Sequence, residues 1–219
     1  MREYIPVLKR TKMFSGIGDE DIEAMLSCLG ARIKCYEKGE YVFRQGEHSE
    51  RIAVLVKGSL HIQCDDYWGN RSILGHISVG EIFGEAYAEP ESGVLLNDVV
   101  AVEDGEIIFF DFKRIISTCS SACSFHNMVV RNMFFAISEK NRKLVQKLSF
   151  LSKRTTREKL IAYLSEEAKK HDCNSFIIPF DRQQLADYLS VDRSAMSNEL
   201  CKMRDEGMIE FRKNRFRLL

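Results

Sequence analysis

The sequence predicts an α+β fold: an N-terminal antiparallel β-roll of the jelly-roll type, then one long helix, then a C-terminal winged helix-turn-helix. Short apolar runs separated by glycines fill residues 31–112, whereas no glycine occurs between Gly105 and Gly207. Strands this close along the chain, with no helix between them, pair antiparallel and close into a sandwich or barrel. The last third of the chain instead combines short amphipathic helical patterns with a terminal hairpin pattern. We place the three parts at 1–123, 124–151 and 152–219.

The composition is that of an ordinary globular protein. Of the 219 residues, 45% are apolar and 29% are charged, which is enough for two modest domains. No apolar run approaches the roughly 20 residues that cross a bilayer, and no apolar stretch follows Arg2 as it would in a secretory signal. Seven cysteines without a CxxC pair indicate reduced thiols. We therefore expect a cytoplasmic protein that does not engage membranes.

The β-roll region follows a short helix, predicted over 19–29, whose first turn is acidic. Glycines mark the turns between short runs of apolar and β-branched residues. The predicted strands are 41–43, 52–56, 59–63, 72–77, 99–102 and 106–110.

The long helix, predicted over 124–151, carries an apolar seam with alternating spacings of three and four residues. The seam consists of Val130, Phe134, Ile137, Leu144 and Leu148, with Asn127 and Asn141 in register. One interpretation is a helix that only lies on its own β-domain. The opposite flank is also apolar, at Val129, Met133, Ala136 and Val145. Two apolar flanks favour a helix packed between its own domain and a second copy, in a parallel homodimer whose register Asn141 sets.

The C-terminal part begins with a capping-box pattern at 155–158, which starts a helix predicted to end near Lys170. A second helix over 182–189 turns Leu185, Ala186 and Leu189 inward, and a tight turn over 190–192 follows it. Asp192 caps a third helix that buries Met196, Leu200 and Met203. The two short helices form a helix-turn-helix, and the alternation over 209–218 predicts a β-hairpin wing.

In a winged helix the second helix of the pair enters the major groove by its N-terminal turns. The outward residues there are Arg193, Ser194, Ser197 and Asn198, of which Arg193 suits a guanine edge. Asp181, Arg182 and Gln183 begin the preceding helix, where backbone amides and a guanidinium suit a phosphate. The alternative is that all these residues form a solvated polar face. The wing, the break in the helical pattern at 152–154 (the hinge) and the dimer seam together favour contact with double-stranded DNA at an inverted-repeat site.

The charge pattern agrees with a local DNA contact. The net charge is zero, with 32 basic and 32 acidic residues, but residues 212–217 contain four cations. From Ser152 onward, 14 Lys and Arg residues stand against 11 Asp and Glu. Since binding would depend on this patch, we expect the affinity for DNA to fall steeply with salt.

The order of these parts resembles the cyclic-AMP-receptor and fumarate-nitrate-regulator (Crp–Fnr) family of bacterial transcription regulators, over nearly the whole chain. The β-roll motifs are Lys38-Gly39-Glu40, Gln45-Gly46-Glu47, Val54-Leu55-Val56-Lys57-Gly58 and Gly80-Glu81-Ile82-Phe83-Gly84-Glu85. The helix-turn-helix motifs are Arg182-Gln183-Gln184-Leu185-Ala186 and Asp192-Arg193-Ser194. The resemblance implies a cyclic-nucleotide-binding-like β-roll that binds an effector, a dimerisation helix, and winged helices that reorient about the hinge. It also implies RNA polymerase as a partner if the protein is an activator. The sequence contains no His-x-His metal set and no nucleophile–base arrangement, so we expect no enzymatic activity.

Two departures from the family's pattern concern what is bound. Cyclic-nucleotide binders of the family carry Gly-Glu and, about nine residues later, Arg-Ser or Arg-Thr. Here Gly84-Glu85 is present, but Leu95-Leu96 stands where the Arg and the Ser or Thr are expected. A cyclic phosphate would lack its guanidinium partner, so the predicted effector is an unidentified small molecule other than a cyclic nucleotide. Its pocket would be lined by Gly84, Glu85, Leu95, Leu96 and, across the dimer, Asn141; alternatively, the two leucines fill the core. Ser194 and Asn198 replace the Glu and Arg of the cyclic-AMP branch, so the half-site is expected to differ.

Two other interpretations stay open. Cys119, Cys123 and His126 recur at i, i+4 and i+7 and could hold a metal, a haem or a redox switch, although packing as small buried residues is the stronger explanation. We assign no metal site, and no certain cofactor, on that spacing alone. The other alternative, from a different class, is a cyclic-nucleotide-binding module that acts on a protein partner.

Overall fold

The computed structural model describes residues 1–69, 71–88, 94–117 and 124–219. They form two compact units, Met1–Cys64 with Leu74–Lys140, and Asp65–Ile73 with Asn141–Leu219. The chain therefore passes between the units three times, because one short segment inside the range of the first unit packs with the second.

The first unit consists of helices and an antiparallel β-roll. Its helices are α1 (Ile5–Leu8), α2 (Asp19–Cys28) and α3 (Phe112–Ile116), and the long helix α4 (Ser124–Leu151) begins here. The strands of the roll are β1 (Arg32–Tyr36), β2 (Tyr41–Phe43), β3 (Arg51–Lys57), β4 (Leu60–Asp65), β5 (Arg71–Ile77), β6 (Ile82–Phe83), β7 (Asp98–Ala101) and β8 (Gly105–Asp111).

The eight strands form two four-stranded sheets, ordered β1-β8-β3-β6 and β2-β7-β4-β5. Every residue from Ile52 to Val56 of β3 is buried. Ala53 and Leu55 face the core between the sheets, whereas Ile52 and Val54 face the core beneath the helices. Burial on both faces explains why this strand is an uninterrupted apolar run rather than an alternating one.

The strands predicted from the sequence are confirmed, each within two residues of its observed ends. Strands β1 and β6 were not predicted. Four of the five residues of β1 are exposed because it is the edge of its sheet, so it has no apolar alternation to detect. Strand β6 has only two residues, which is too short for any periodicity.

The second unit contains the end of α4, three helices and a small sheet. The helices are α5 (Thr156–His171), α6 (Arg182–Leu189) and α7 (Arg193–Asp205), and the strands are β9 (Ser175–Ile177), β10 (Ile209–Arg212) and β11 (Arg215–Leu218). The predicted capping box of α5 is present: the Thr155 hydroxyl accepts from the Glu158 amide, and the Glu158 carboxylate accepts from the Thr155 amide. The sheet has the order β10-β11-β9, so the predicted wing gains a third strand.

Lys147 of α4 is a charged side chain inside the second unit, with 8% of the residue exposed. Its Nζ donates to the Ile73 carbonyl at 2.5 Å and lies 3.9 Å from the centroid of the Tyr188 ring. Burial lowers the pKa of Lys147 to about 8, because the ammonium has lost much of its hydration. The contact joins α4, α6 and the tip of the β4–β5 hairpin.

Candidate nucleic-acid interface and ligand region

The turn between α6 and α7 is held by backbone and side-chain hydrogen bonds. The Val191 amide donates to the Ala186 carbonyl at 3.0 Å, and Ser190 adopts a φ of +51°. From α5, Lys159 Nζ donates to the carbonyls of Leu189 at 3.1 Å and Ser190 at 3.2 Å. A cation at this end of α6 satisfies carbonyls that have no partner within the helix and complements the helix dipole. Lys159 was not predicted, because it comes from a different helix.

Helix α7 presents a polar face because its opposite face is buried. Met196, Leu200 and Met203 are at most 1% exposed. The helix begins as predicted, since the Asp192 carboxylate accepts a hydrogen bond from the Ala195 amide at 2.7 Å. The predicted contact residues lie together on the first two turns, with Arg193, Ser194 and Asn198 exposed and Ser197 half-buried.

Arg157 connects α5 to α7 and was missed by sequence reasoning. Its Nη1 donates to Glu199 at 3.1 Å, and its guanidinium also pairs with Glu206. The hydrogen bond from Arg157 holds the pKa of Glu206 below its usual range. The partners are more than 40 residues from Arg157, and no local pattern marks them. This ion-pair network fixes α7 at its middle and at its C-terminal end.

The first turn of α6 is more engaged within the protein than the sequence predicts. Asp181 is its N-cap, and its carboxylate accepts from the Gln184 amide at 2.9 Å. Gln183 donates to the Asp187 carboxylate at 2.8 Å. The Arg182 guanidinium is half-buried over the wing, 4.8 Å from the centroid of the Phe211 ring, and burial lowers its pKa.

The wing presents cations at its tip. Strands β10 and β11 pair from Ile209 with Leu218 to Arg212 with Arg215, and Asn214 anchors the turn by donating to the Ile178 carbonyl at 3.1 Å. Arg217 pairs with Glu210 at 3.5 Å. Among the described residues of α7 and the wing, the exposed cations without an acidic partner within ion-pair distance are Arg193, Arg212, Lys213 and Arg215. Such cations are available to phosphates and base edges.

The ligand region predicted in the β-roll centres on the loop after β6. Gly84 has a φ of +84°, and a Cβ there would lie 2.9 Å from the Arg51 carbonyl oxygen and from the Phe43 ring. Only glycine fits this position. The Oε1 atom of the neighbouring Glu85 accepts from Lys140 Nζ of α4 at 2.6 Å, an ion pair that the sequence did not predict. In the described part of the chain, Glu85 Oε2 is buried without a hydrogen-bond partner.

The other residues predicted to line this pocket are distributed between core and surface. Leu95 is 3% exposed and belongs to the aromatic core between the sheets, in which the Phe43 centroid lies 5.7 Å from that of Phe83. Leu96 and Asn141 are exposed. The structure therefore brings Gly84 and Glu85 beside Lys140, and it leaves Leu96 on the surface. Residues 89–93 of the same loop lie outside the described residues.

The apolar seam of α4 is exposed along its length. Val130, Phe134, Ile137, Leu144 and Leu148 are between 43% and 69% exposed. On the opposite flank Val129, Met133 and Ala136 are buried in the core of the first unit, as expected, whereas Val145 is exposed. An apolar stripe of this length on a helix is typical of an interaction surface.

Of the three residues in the cysteine–histidine hypothesis, His126 is described, whereas Cys119 and Cys123 lie outside the described residues. His126 is buried, and its Nε2 is 2.7 Å from the Arg114 carbonyl oxygen. Within the described ranges, no group of three or more His, Cys, Asp or Glu residues could hold a metal ion. No described helix is long and apolar enough to cross a membrane.

The fold and the polar face of α7 define a class of protein, a winged-helix DNA-binding regulator with an N-terminal β-roll. Residues 33–121 match the family model of the cyclic nucleotide-binding domain, and residues 158–219 match that of the Crp-like helix-turn-helix domain. Together the two matches cover more than half of the chain, in the order that the fold requires. The chain belongs to the Crp–Fnr family and is a DNA-binding transcription regulator.

Relatives and solved structures agree over most of the chain. It is 22% identical to the cyclic AMP receptor protein of Thermus thermophilus over 205 residues, which are 92% of this chain and 89% of that protein. It is also 22% identical to the transcriptional activator protein FnrA of Stutzerimonas stutzeri over 205 residues, with 91% and 81% covered. The c-di-GMP-responsive global regulator CLP of Xanthomonas campestris has the same fold, with a TM-score of 0.73 at 19% identity over 90% of this chain and 97% of that one.

Proposed function

We propose that the protein is a homodimeric regulator in which an effector bound in the β-roll reorients the winged helices on DNA. The proposed parts are an effector-binding domain over 1–123, a dimerisation helix over 124–151 and a DNA-binding domain over 152–219. The observation that carries the proposal is the open polar face of α7, with Arg193 at its N-terminal end and no acidic partner for that guanidinium among the described residues.

The proposed DNA contacts divide into two kinds. Arg193, Ser194, Ser197 and Asn198 lie on the turns of α7 that a winged helix inserts into the major groove, and they would read base edges. Gln183 and the backbone amides at the start of α6 would meet a phosphate, together with the cations of the wing tip. Arg182 would then act mainly by positioning the wing, because its guanidinium already lies over Phe211.

The proposed dimer uses the exposed seam of α4. A second copy would cover the apolar side chains of the seam, and Asn141 would fix the register of two parallel helices. Two such protomers related by a two-fold axis would read an inverted repeat. If the protein is an activator, RNA polymerase would be a further partner.

The proposed effector is a small molecule other than a cyclic nucleotide, bound at Gly84, Glu85, Leu95, Leu96 and Asn141. Leu95 supports this, since an apolar side chain packed in the core cannot replace the guanidinium that neutralises a cyclic phosphate. The Glu85–Lys140 ion pair also supports it, because it connects the ligand loop to the helix on which the dimer is proposed to form. A ligand that displaces Lys140 would thereby act on α4.

The test is selection of bound sequences from randomised duplex DNA, with purified reduced protein. We expect enrichment of an inverted repeat, and we expect Arg193→Ala to weaken binding to that repeat by about 1–3 kcal/mol. Arg10→Ala, which removes an exposed arginine from the first unit, is the matched control and should bind as the wild type does. Equal retention of DNA by Arg193→Ala and wild type would refute the assignment of α7.

The same selection after oxidation tests the redox alternative. If enrichment of the repeat appears or disappears on oxidation, the cysteines act as a redox sensor and not only as packed side chains. Adding cyclic AMP or cyclic GMP tests the effector assignment, since a cyclic nucleotide that changes DNA binding would contradict it.

A further inference from the structure

One end of the β-roll contains a cleft that no part of the proposed regulator uses. It has a volume of about 910 Å³ and lies where β1 and β2 form the edges of the two sheets. The end of α2, the start of β3, the end of β8 and α3 complete its walls. None of the residues proposed for the effector pocket lines it.

The register of the sheet directs cations into this cleft. Arg32 pairs with Phe109 across β1 and β8, and Lys34 pairs with Ile107. Directly paired residues of an antiparallel sheet project to the same face, and Phe109 and Ile107 belong to the core between the sheets. Arg32 and Lys34 therefore project from the inner face of the sheet. Arg51 does the same on β3, two residues before the inward Ala53.

The acidic residues of the cleft are already neutralised. Glu50 pairs with Lys113 at 2.9 Å, and Asp111 lies 3.9 Å from the Arg114 guanidinium. By contrast, Arg32, Lys34 and Arg51 have no acidic partner within ion-pair distance in the described ranges. The cleft thus keeps an excess of positive charge on one wall.

An aromatic wall lies beside these cations. Tyr36, Phe43 and Phe109 line the cleft, and the Phe43 and Phe109 ring centroids are 6.0 Å apart. Lys34 Nζ is 4.3 Å from the Tyr36 ring centroid, so one cation is directly beside an aromatic face. A site that combines guanidinium groups with aromatic surface suits an anion attached to a flat apolar body.

We propose that this cleft binds a small organic anion, with a phosphate or carboxylate held by Arg32 and Arg51 and a flat apolar body against Tyr36 and Phe43. The site is a second ligand site on the β-roll, and none of the residues that line it belongs to the effector pocket proposed at Glu85. Lys34 completes the positive wall.

The test uses 1-naphthyl phosphate as the probe, titrated into the full-length protein in a calorimeter. We expect saturable binding that weakens as salt rises, and a loss of at least tenfold in affinity for Arg32→Gln/Arg51→Gln. The controls are Arg10→Gln, an exposed arginine outside the cleft, and Glu85→Gln, a residue of the proposed effector pocket that does not line the cleft. Both should bind the probe as the wild type does.

Comparison of probes separates the two halves of the proposed ligand. Neutral 1-naphthol and inorganic phosphate should each bind at least tenfold more weakly than 1-naphthyl phosphate. The proposal is overturned if the double variant keeps full affinity, if Glu85→Gln alone abolishes binding, if either fragment binds as tightly, or if millimolar probe gives no heat. Should the double variant fail to fold, amide shifts of the wild type decide the question: they should move over Arg32–Tyr36 and His48–Arg51, and shifts confined elsewhere would contradict the site.

Discussion

Ser190 shows how a single residue shapes the recognition element. Its φ of +51° lies in the left-handed region, where a Cβ crowds the following backbone, yet the turn requires that conformation to connect α6 to α7. The helix ends around it are marked in the sequence, by Asp181 and Asp192 as caps. The contact that holds the turn from α5, through Lys159, is not marked, because side chains distant in sequence leave no periodic signal.

Replacing Ser190 by glycine should stabilise the protein by about 0.5–1 kcal/mol, because glycine removes the left-handed strain and loses only part of that gain to backbone entropy. Urea unfolding followed by circular dichroism measures this change. Ser165→Gly, inside α5, is the control and should destabilise by about 0.5–1 kcal/mol. A Ser190→Gly variant that loses as much stability as the control would disprove the strain.

At the scale of elements, segments with a clear hydrophobic period or a capping pattern were predictable, and short strands without one were not. The 3-4 spacing of α4, the capping box of α5 and the alternating wing gave the right elements, because each encodes one face or one end of a regular structure. Strands β1, β6 and β9 were missed, since each buries only one or two side chains and shows no alternation to detect. The site divided in the same way: the face of α7 was predictable, whereas the ion pairs of Arg157 and of Glu85 depend on tertiary contacts.

A charge in the middle of the α4 seam should prevent the proposed dimer. Leu144→Glu places a carboxylate where two exposed apolar stripes would meet, and we expect it to weaken the dimer at least tenfold. Sedimentation velocity at several concentrations measures the change. The control is Ser149→Glu, which adds the same charge at an exposed position of α4 outside the seam. Wild type that is monomeric throughout, or a Leu144→Glu dimer of unchanged affinity, would refute the seam as an interface.

At the scale of the whole molecule, Lys147 couples stability to pH. Its pKa in the folded protein is about 8, below the value of about 10.5 for a free lysine, so between these values the unfolded chain binds more protons. The contribution of this group to the free energy of unfolding therefore rises as pH increases through that range. Below pH 8 the lysine is charged in both states, and the full cost of burying its ammonium group applies.

We expect the wild type to gain about 1 kcal/mol of stability relative to Lys147→Met between pH 7 and pH 9. Denaturant unfolding of both proteins at each pH measures the difference. Comparing the two proteins cancels the titration of every other group that is unaffected by the substitution. Lys143→Met, on the exposed side of α4, should show no such gain. A constant difference across this pH range would show that Lys147 is hydrated in solution.

The hairpin tip at Asp65–Ile73 has a consequence for cutting and recombining the chain. Because Ile73 belongs to the same hydrophobic core as Phe150 and Leu185, a fragment that starts at the hinge lacks part of its hydrophobic core. An isolated DNA-binding domain made from residues 152–219 would expose the surface that Ile73 and the end of α4 cover. A chimera that joins this helix-turn-helix to another β-roll would need a matching hairpin tip. The helix-turn-helix part is thus not interchangeable as a single continuous segment of the chain.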